Sequence, residues 1–189
     1  GGYRDVNILV EEKQTGSISF GAGFSSADSI VGNISLEQTN FDITNWGRFT
    51  GGGQRFNANI QAGSERRDVS VSLTEPWFLG QRLALGTELF YKDAQFFSSE
   101  YEQSQIGFAV SLRKPVSKRA FVRAEYRIEE IEVDVDSDVP SNSDFFEENG
   151  DFLRSALSIN YVYDSRDSNQ QPRKGEKIDV GLTYAGGLL

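Results

Sequence analysis

The 189-residue chain contains no cysteine, no histidine and no methionine, and only four prolines. Without Cys there is no disulfide and no thiolate chemistry, and without His there is no His-dependent triad, dyad or zinc site of the His/Cys kind. Basic side chains are the minority: 19 Lys and Arg against 28 Asp and Glu leave a formal charge of −9. No run of Lys and Arg supplies a nucleic-acid surface or a polybasic membrane anchor. Long apolar runs are missing as well. Mean hydropathy is −0.44, and no uninterrupted stretch approaches the roughly 18 to 20 residues of a membrane-spanning helix. The chain opens at Gly1, with no charged n-region and apolar stretch to mark a signal peptide. A transmembrane β-barrel survives these exclusions, because its strands carry apolar residues only at every second position.

Alternation is what the chain does contain. Ile18, Phe20, Ala22 and Phe24 alternate with Ser17, Ser19, Gly21 and Gly23, and Ile30, Gly32, Ile34 and Leu36 with Val31, Asn33, Ser35 and Glu37. The pattern returns around Phe56 to Ala62, Val69 to Leu73, Leu83 to Tyr91, Ile106 to Leu112, Val122 to Ile128, Leu153 to Tyr163 and Ile178 to Tyr184. Period two over nine such segments predicts an all-β chain of antiparallel strands. Periodicity alone fits a soluble sandwich or barrel as well as a membrane barrel. Three features favour the membrane form. The strands run to about ten residues, matched to a tilted bilayer crossing. Aromatics gather near strand ends, at Phe41, Trp46, Phe49, Trp77, Phe78, Tyr91, Tyr161 and Tyr163, as in an interfacial girdle. Small Gly, Ala and Ser residues dominate several polar faces, as a curved wall allows.

Connections alternate between Pro- and Gly-bearing turns with aromatic anchors, such as 42–53, 75–81, 114–119 and 164–176, and links rich in Ser, Asp and Glu, the longest being 136–149. That acidic link is expected to be an outward-facing loop. Ahead of the first strand, Tyr3 to Lys13 forms a separate alternating segment ending in Glu11, Glu12 and Lys13. Residues 1–14 are expected to be the last strand of a preceding soluble domain and its hinge, and 15–189 the barrel portion.

Candidate sites are few. Asp134, Asp136 and Asp138 have D-x-D-x-D spacing, but Val139 stands where a calcium loop needs Gly and Phe145 where it needs a bidentate Glu. Gly51, Gly52 and Gly53 lack the strand–glycine–helix context of a phosphate cradle and fit a turn. Arg123, Glu125, Arg127 and Glu129 occupy successive polar-face positions with alternating sign. They are expected to line the lumen and to pair with neighbouring strands. No pattern marks paired carboxylates for acid–base work, so no catalytic residue, metal or cofactor is expected.

Four motifs, in chain order, resemble the Omp85 family. Val10 to Ser17 is similar to its V-x-E-x-x-T-G-S junction between the last POTRA domain and the barrel. Asn40 to Asp42 with Asn45 to Gly47 resembles the turn after strand two, although Thr44 replaces the usual small residue and the turn is longer. Thr74-Glu75-Pro76-Trp77-Phe78-Leu79-Gly80 resembles the T-x-P-[WYF]-F turn between strands four and five. Tyr163, Asp164, Arg166, Asp167, Pro172 and Gly175 fit the Y-D-x-R-D…P-x-x-G hairpin.

The resemblance implies part of a sixteen-strand, up-and-down outer-membrane barrel of the BamA-like kind, of which about nine strands are present, with the N-terminal segment on the periplasmic side. It implies a non-enzymatic factor that inserts nascent β-barrel proteins through a lateral seam. Its implied partners are nascent outer-membrane proteins, accessory lipoproteins, periplasmic chaperones and outer-membrane lipid, not nucleic acid. The carried-over parts are the junction Glu11, Glu12, Lys13, Gln14 and Thr15, and the seam strand Gly16, Ser17, Ile18, Ser19, Phe20, Gly21, Ala22, Gly23 and Phe24. A TamA-type or two-partner-secretion translocator, or a passive porin-like barrel, is the alternative.

Overall fold

The computed structural model describes residues 14–25, 29–64, 66–95, 101–135 and 150–186. Nine strands follow in chain order: β1 Gly16–Ser25, β2 Ser29–Phe41, β3 Gln54–Gly63, β4 Arg66–Glu75, β5 Ala84–Gln95, β6 Tyr101–Pro115, β7 Ala120–Val135, β8 Gly150–Asp164 and β9 Lys177–Gly186. They form one antiparallel sheet in which spatial order equals sequence order. The sheet is not closed on itself: β1 pairs with β2 and β9 with β8, and each has one edge unpaired among the described residues.

Register keeps the two faces separate across the whole sheet. Opposite one another lie Phe20 and Ile34, then Ile34 and Ile60, Ile60 and Val69, Val69 and Tyr91, and Tyr91 and Ile106. The apolar row resumes on β7 to β9, where Tyr126 faces Leu157 and Leu157 faces Tyr184. A one-residue slip in any ladder would turn a strand's apolar set onto the polar face, so this alternation fixes the register.

Little of this apolar surface is covered. Phe20, Phe24, Leu89 and Leu182 are 76%, 89%, 60% and 78% exposed, while the buried apolar residues among those described are Phe90, Ala109, Ala120 and Val162. A soluble sandwich would bury such a face under a second sheet, and among the described residues there is no second sheet. The face therefore needs a non-aqueous neighbour outside the chain. Strand length agrees: ten residues, as in β3, rise about 34 Å at about 3.4 Å per residue. Tilted by about 40°, they project about 26 Å along the membrane normal, the height of a barrel's apolar band.

The central strands exceed the ten residues that the sequence suggests: β6 has 15, β7 has 16 and β8 has 15. The excess lies at the loop end, where the apolar-face register changes character. There Ile106 faces Glu130, Ser104 faces Glu132 and Glu132 faces Asp151. Pairing thus continues past the apolar band on a charged outer surface, so apolar alternation alone ends these strands too early.

The opposite end carries the short turns. Asp42 accepts hydrogen bonds from the Thr44 amide at 2.9 Å and hydroxyl at 2.6 Å, which gives the larger residue at 44 a place. These bonds hold the Asp42 carboxyl below its usual range, the hydroxyl contributing most. Phe41 stacks between Phe49 and Phe56, and Trp46 is 82% exposed beside Phe49. Gly51 and Gly53 take positive φ, whereas a Cβ on Gly52 would meet the Phe41 carbonyl oxygen at 2.8 Å. The glycine run therefore serves a turn by two different means.

An arginine placed on the exposed apolar face should be far more disruptive than one on the polar face. Leu89→Arg is expected to destabilise the full-length protein in lipid vesicles by about 2 to 4 kcal/mol. Ser72→Arg, between Asn57 and Glu88 on the polar face, should change stability by less than about 1 kcal/mol; equilibrium urea unfolding from vesicles measures both.

Candidate functional site

The seam strand expected from the sequence is an edge strand, Gly16 to Ser25, held by β2 alone among the described residues. Its polar face is made of Ser17, Ser19, Gly21 and Gly23. A Cβ on Gly23 would meet nothing within 4 Å, and one on Gly21 only the Asn33 side chain at 3.8 Å. These glycines are therefore not demanded by crowding. Their effect is to deprive β1 of side-chain packing and so to weaken its grip on β2.

The strand is fastened at its start. The Thr15 carbonyl accepts hydrogen bonds from the Thr39 amide at 2.9 Å and the Thr39 hydroxyl at 3.2 Å. Gln14 is exposed. Glu11, Glu12 and Lys13 lie outside the described residues, as do residues 136–149. β1 is thus tied at the turn end and small-sided along its polar face.

The two family-like turns are built from local hydrogen bonds. Glu75 accepts from the Trp77 amide at 2.9 Å and from the Gln54 side chain at 3.2 Å, linking the turn to β3. Pro76 precedes a single 3-10 turn, Phe78–Gly80, in which Leu79 and Gly80 both have positive φ. Trp77 and Leu79 remain exposed, apolar at the rim where an interface would receive them.

In the 164–176 turn, Asp164 accepts from Nε and Nη2 of Arg166 at 3.0 and 2.8 Å. This pairing raises the Arg166 pKa. Asp167 accepts from the amides of Arg173 and Lys174 at 2.9 and 3.2 Å, which together hold its carboxyl below the usual range. Pro172 precedes these donors in the turn. Gly175 has φ +91 and lies against the Ser165 carbonyl so closely that no side chain fits.

The charged row on β7 pairs in two ways. Arg123 and Arg127 both reach Glu125 on their own strand, at 2.5 and 3.3 Å. Arg127 also lies 3.8 Å from Glu88 on β5, across the intervening β6. Glu129, 4% exposed, receives Nε and Nη2 of Arg154 on β8 at 2.7 and 2.5 Å. Two of the four residues thus bond across strands, and the other two pair along β7.

A feature not singled out from the sequence holds this row together. Phe90 sits in the polar register of β5 yet is 4% exposed. Its ring lies over Gly107 of β6, where a Cβ would meet Phe90 Cζ at 2.5 Å and Glu129 Cβ at 2.8 Å. The Arg127 guanidinium covers the ring at 4.6 Å and the Lys92 ammonium lies 5.5 Å away, both within cation–π reach. The available signal was an aromatic in a polar register whose cross-strand partner is glycine.

Gly107→Ala should therefore destabilise the protein by about 1 to 3 kcal/mol through overpacking against Phe90 and Glu129. Gly23→Ala, at an open position, should cost less than about 0.5 kcal/mol; urea unfolding in vesicles distinguishes them.

A sequence model of the Omp85 superfamily domain matches residues 48–189. The outer membrane protein assembly factor BamA of Nitratidesulfovibrio vulgaris is 24% identical over 98% of this chain, which spans 22% of that protein. The crystal structure of BamA from Haemophilus ducreyi lacking POTRA domains 1-3 matches with a TM-score of 0.70 at 21% identity, over 93% of this chain and 35% of that one. At that identity the structural match concerns the fold: consecutive antiparallel strands with an apolar outer face. The motifs, the matched domain and the unclosed up-and-down sheet converge, and the chain belongs to the Omp85 superfamily as a BamA-like protein of the bacterial outer membrane.

Proposed function

We infer that this chain is the N-terminal portion of the barrel of an assembly factor that inserts and folds nascent β-barrel proteins in the outer membrane. The observation that carries the reading is β1: an edge strand tied at Thr15, held along one side only among the described residues, and small-sided along its polar face. Such a strand presents unpaired backbone donors and acceptors to an incoming strand and can align it by β-augmentation. No covalent change is required, so the reading is of a template and not an enzyme. The assembly role named for the N. vulgaris relative supports it.

In this reading residues 1–14 are the end of a POTRA domain and the hinge, placing the short-turn end in the periplasm. The polar face then lines the lumen, and the Arg123 to Glu129 row lies in its wall. Nascent outer-membrane proteins are the substrates, delivered by periplasmic chaperones with accessory lipoproteins on the same side.

The full-length protein in liposomes should accelerate folding of chaperone-delivered barrel substrates. Gly21→Val with Gly23→Val fills open space and adds β-propensity of about 1 kcal/mol, so it should leave the protein folded and slow substrate folding several-fold. Absence of acceleration by the unsubstituted protein, with large and steady ion conductance in its place, would contradict the assembly reading and favour a passive pore.

A further inference from the structure

In a chain of net charge −9, the polar face gathers cations at its turn end. One hollow there is floored by Thr74, Ala84, Gly86 and Ser111 and rimmed by Arg55, Arg82, Arg113 and Arg123. It shares Arg82, Arg113 and Phe121 with an adjoining hollow that reaches Lys118 and Arg119 on the β6–β7 turn. Asp164 is the single carboxylate lining either hollow, and Arg166 already occupies it.

Of the four rim arginines, Arg55, Arg82 and Arg113 make no ion pair among the described residues, and Arg123 alone has one. Arg113 and Arg123 stand directly opposite each other, a like-charge pairing that destabilises a ladder. Their heads separate: Arg123 turns to Glu125 at 2.5 Å, and Arg113 stacks 3.7 Å from the Phe121 ring centroid. Among the described residues no carboxylate lies within ion-pair distance of Arg55, Arg82, Arg113, Lys118 or Arg119.

We propose that this cationic hollow binds an acidic polypeptide segment arriving from the turn end. Guanidinium groups match carboxylates with planar, charge-assisted hydrogen bonds. From β3 to β7 is four strand spacings, roughly 19 Å at about 4.8 Å each, the length of about six extended residues. Trp77 and Phe121 lie in the same lining, so apolar side chains between the acids also find a surface. A lipid headgroup suits the hollow less well, because it opens on the polar face and hydrocarbon is needed on the other. The inference goes beyond the assembly reading and is tested by binding alone, so its failure leaves that reading standing.

The test uses the full-length protein in detergent micelles and a labelled six-residue peptide alternating Glu with Leu, followed by fluorescence anisotropy. Saturable binding that weakens with salt is expected, and the same peptide with Gln in place of Glu should not bind. Arg82→Gln with Arg113→Gln should weaken binding by about tenfold. Arg82→Lys with Arg113→Lys should retain part of it. Arg67→Gln, at the loop end, should leave it unchanged. Both substituted arginines are exposed, and unaltered heat-dependent gel migration checks that the barrel is intact. Equal binding of the Gln peptide, indifference to the Arg82/Arg113 pair, or binding confined to vesicles of anionic lipid without the peptide would overturn the proposal.

Discussion

Hydrocarbon offers no hydrogen bonds, so every backbone amide and carbonyl within a membrane must find its partner in the protein. In this sheet β2 through β8 meet that condition on both sides, and β1 and β9 on one. Each unpaired group in lipid costs several kcal/mol, so both open edges demand strand partners. β1 begins at a pinned carbonyl and sets serines and glycines along its polar face. Exchange of partners is cheapest where the side chains contribute least, and this is the physical basis of the seam proposed at β1.

The same solvent inverts the usual arrangement of a fold. Large apolar residues face outward and few are buried, so hydrophobic burial within the chain contributes little cohesion. Cohesion on the polar face comes instead from Phe90 packed over Gly107 under Arg127, and from Arg154 closing on the buried Glu129. A buried carboxylate without its arginine is strongly destabilising, so the Arg154–Glu129 pair ties β8 to β7. The turn end holds order by local bonds from Asp42, Glu75, Asp164 and Asp167, and it also carries cations without carboxylate partners among the described residues.

Much of this was legible in the residues. Alternation at Ile18 to Phe24 or Phe56 to Ala62 encodes which face each side chain takes, because the period of a strand is two. Gly80 and Gly175 mark turns through the backbone angles and close approaches that they permit. Other features were hidden because they depend on what lies opposite. The ends of β6, β7 and β8 are invisible to apolar alternation, since Glu130, Glu132 and Asp151 continue the ladder with charge. Phe90 looks like an error in its strand until register sets it against Gly107. The arginines at 55, 82, 113 and 123 are scattered in sequence and meet only when adjacent strands bring their turn ends together.

The central proposal is that β1 offers its open edge to a substrate strand and pairs with it. The chain has no cysteine, so Ser19→Cys places a single thiol in this segment of the full-length protein. A barrel substrate stalled during assembly, with one cysteine scanned along its terminal strand, then reports the pairing by disulfide formation. The account predicts crosslinks confined to one register along β1, and none when the cysteine is moved to Ser158 in the interior strand β8. Equal crosslinking at Ser19 and Ser158, or none at any substrate position while assembly proceeds, would contradict it.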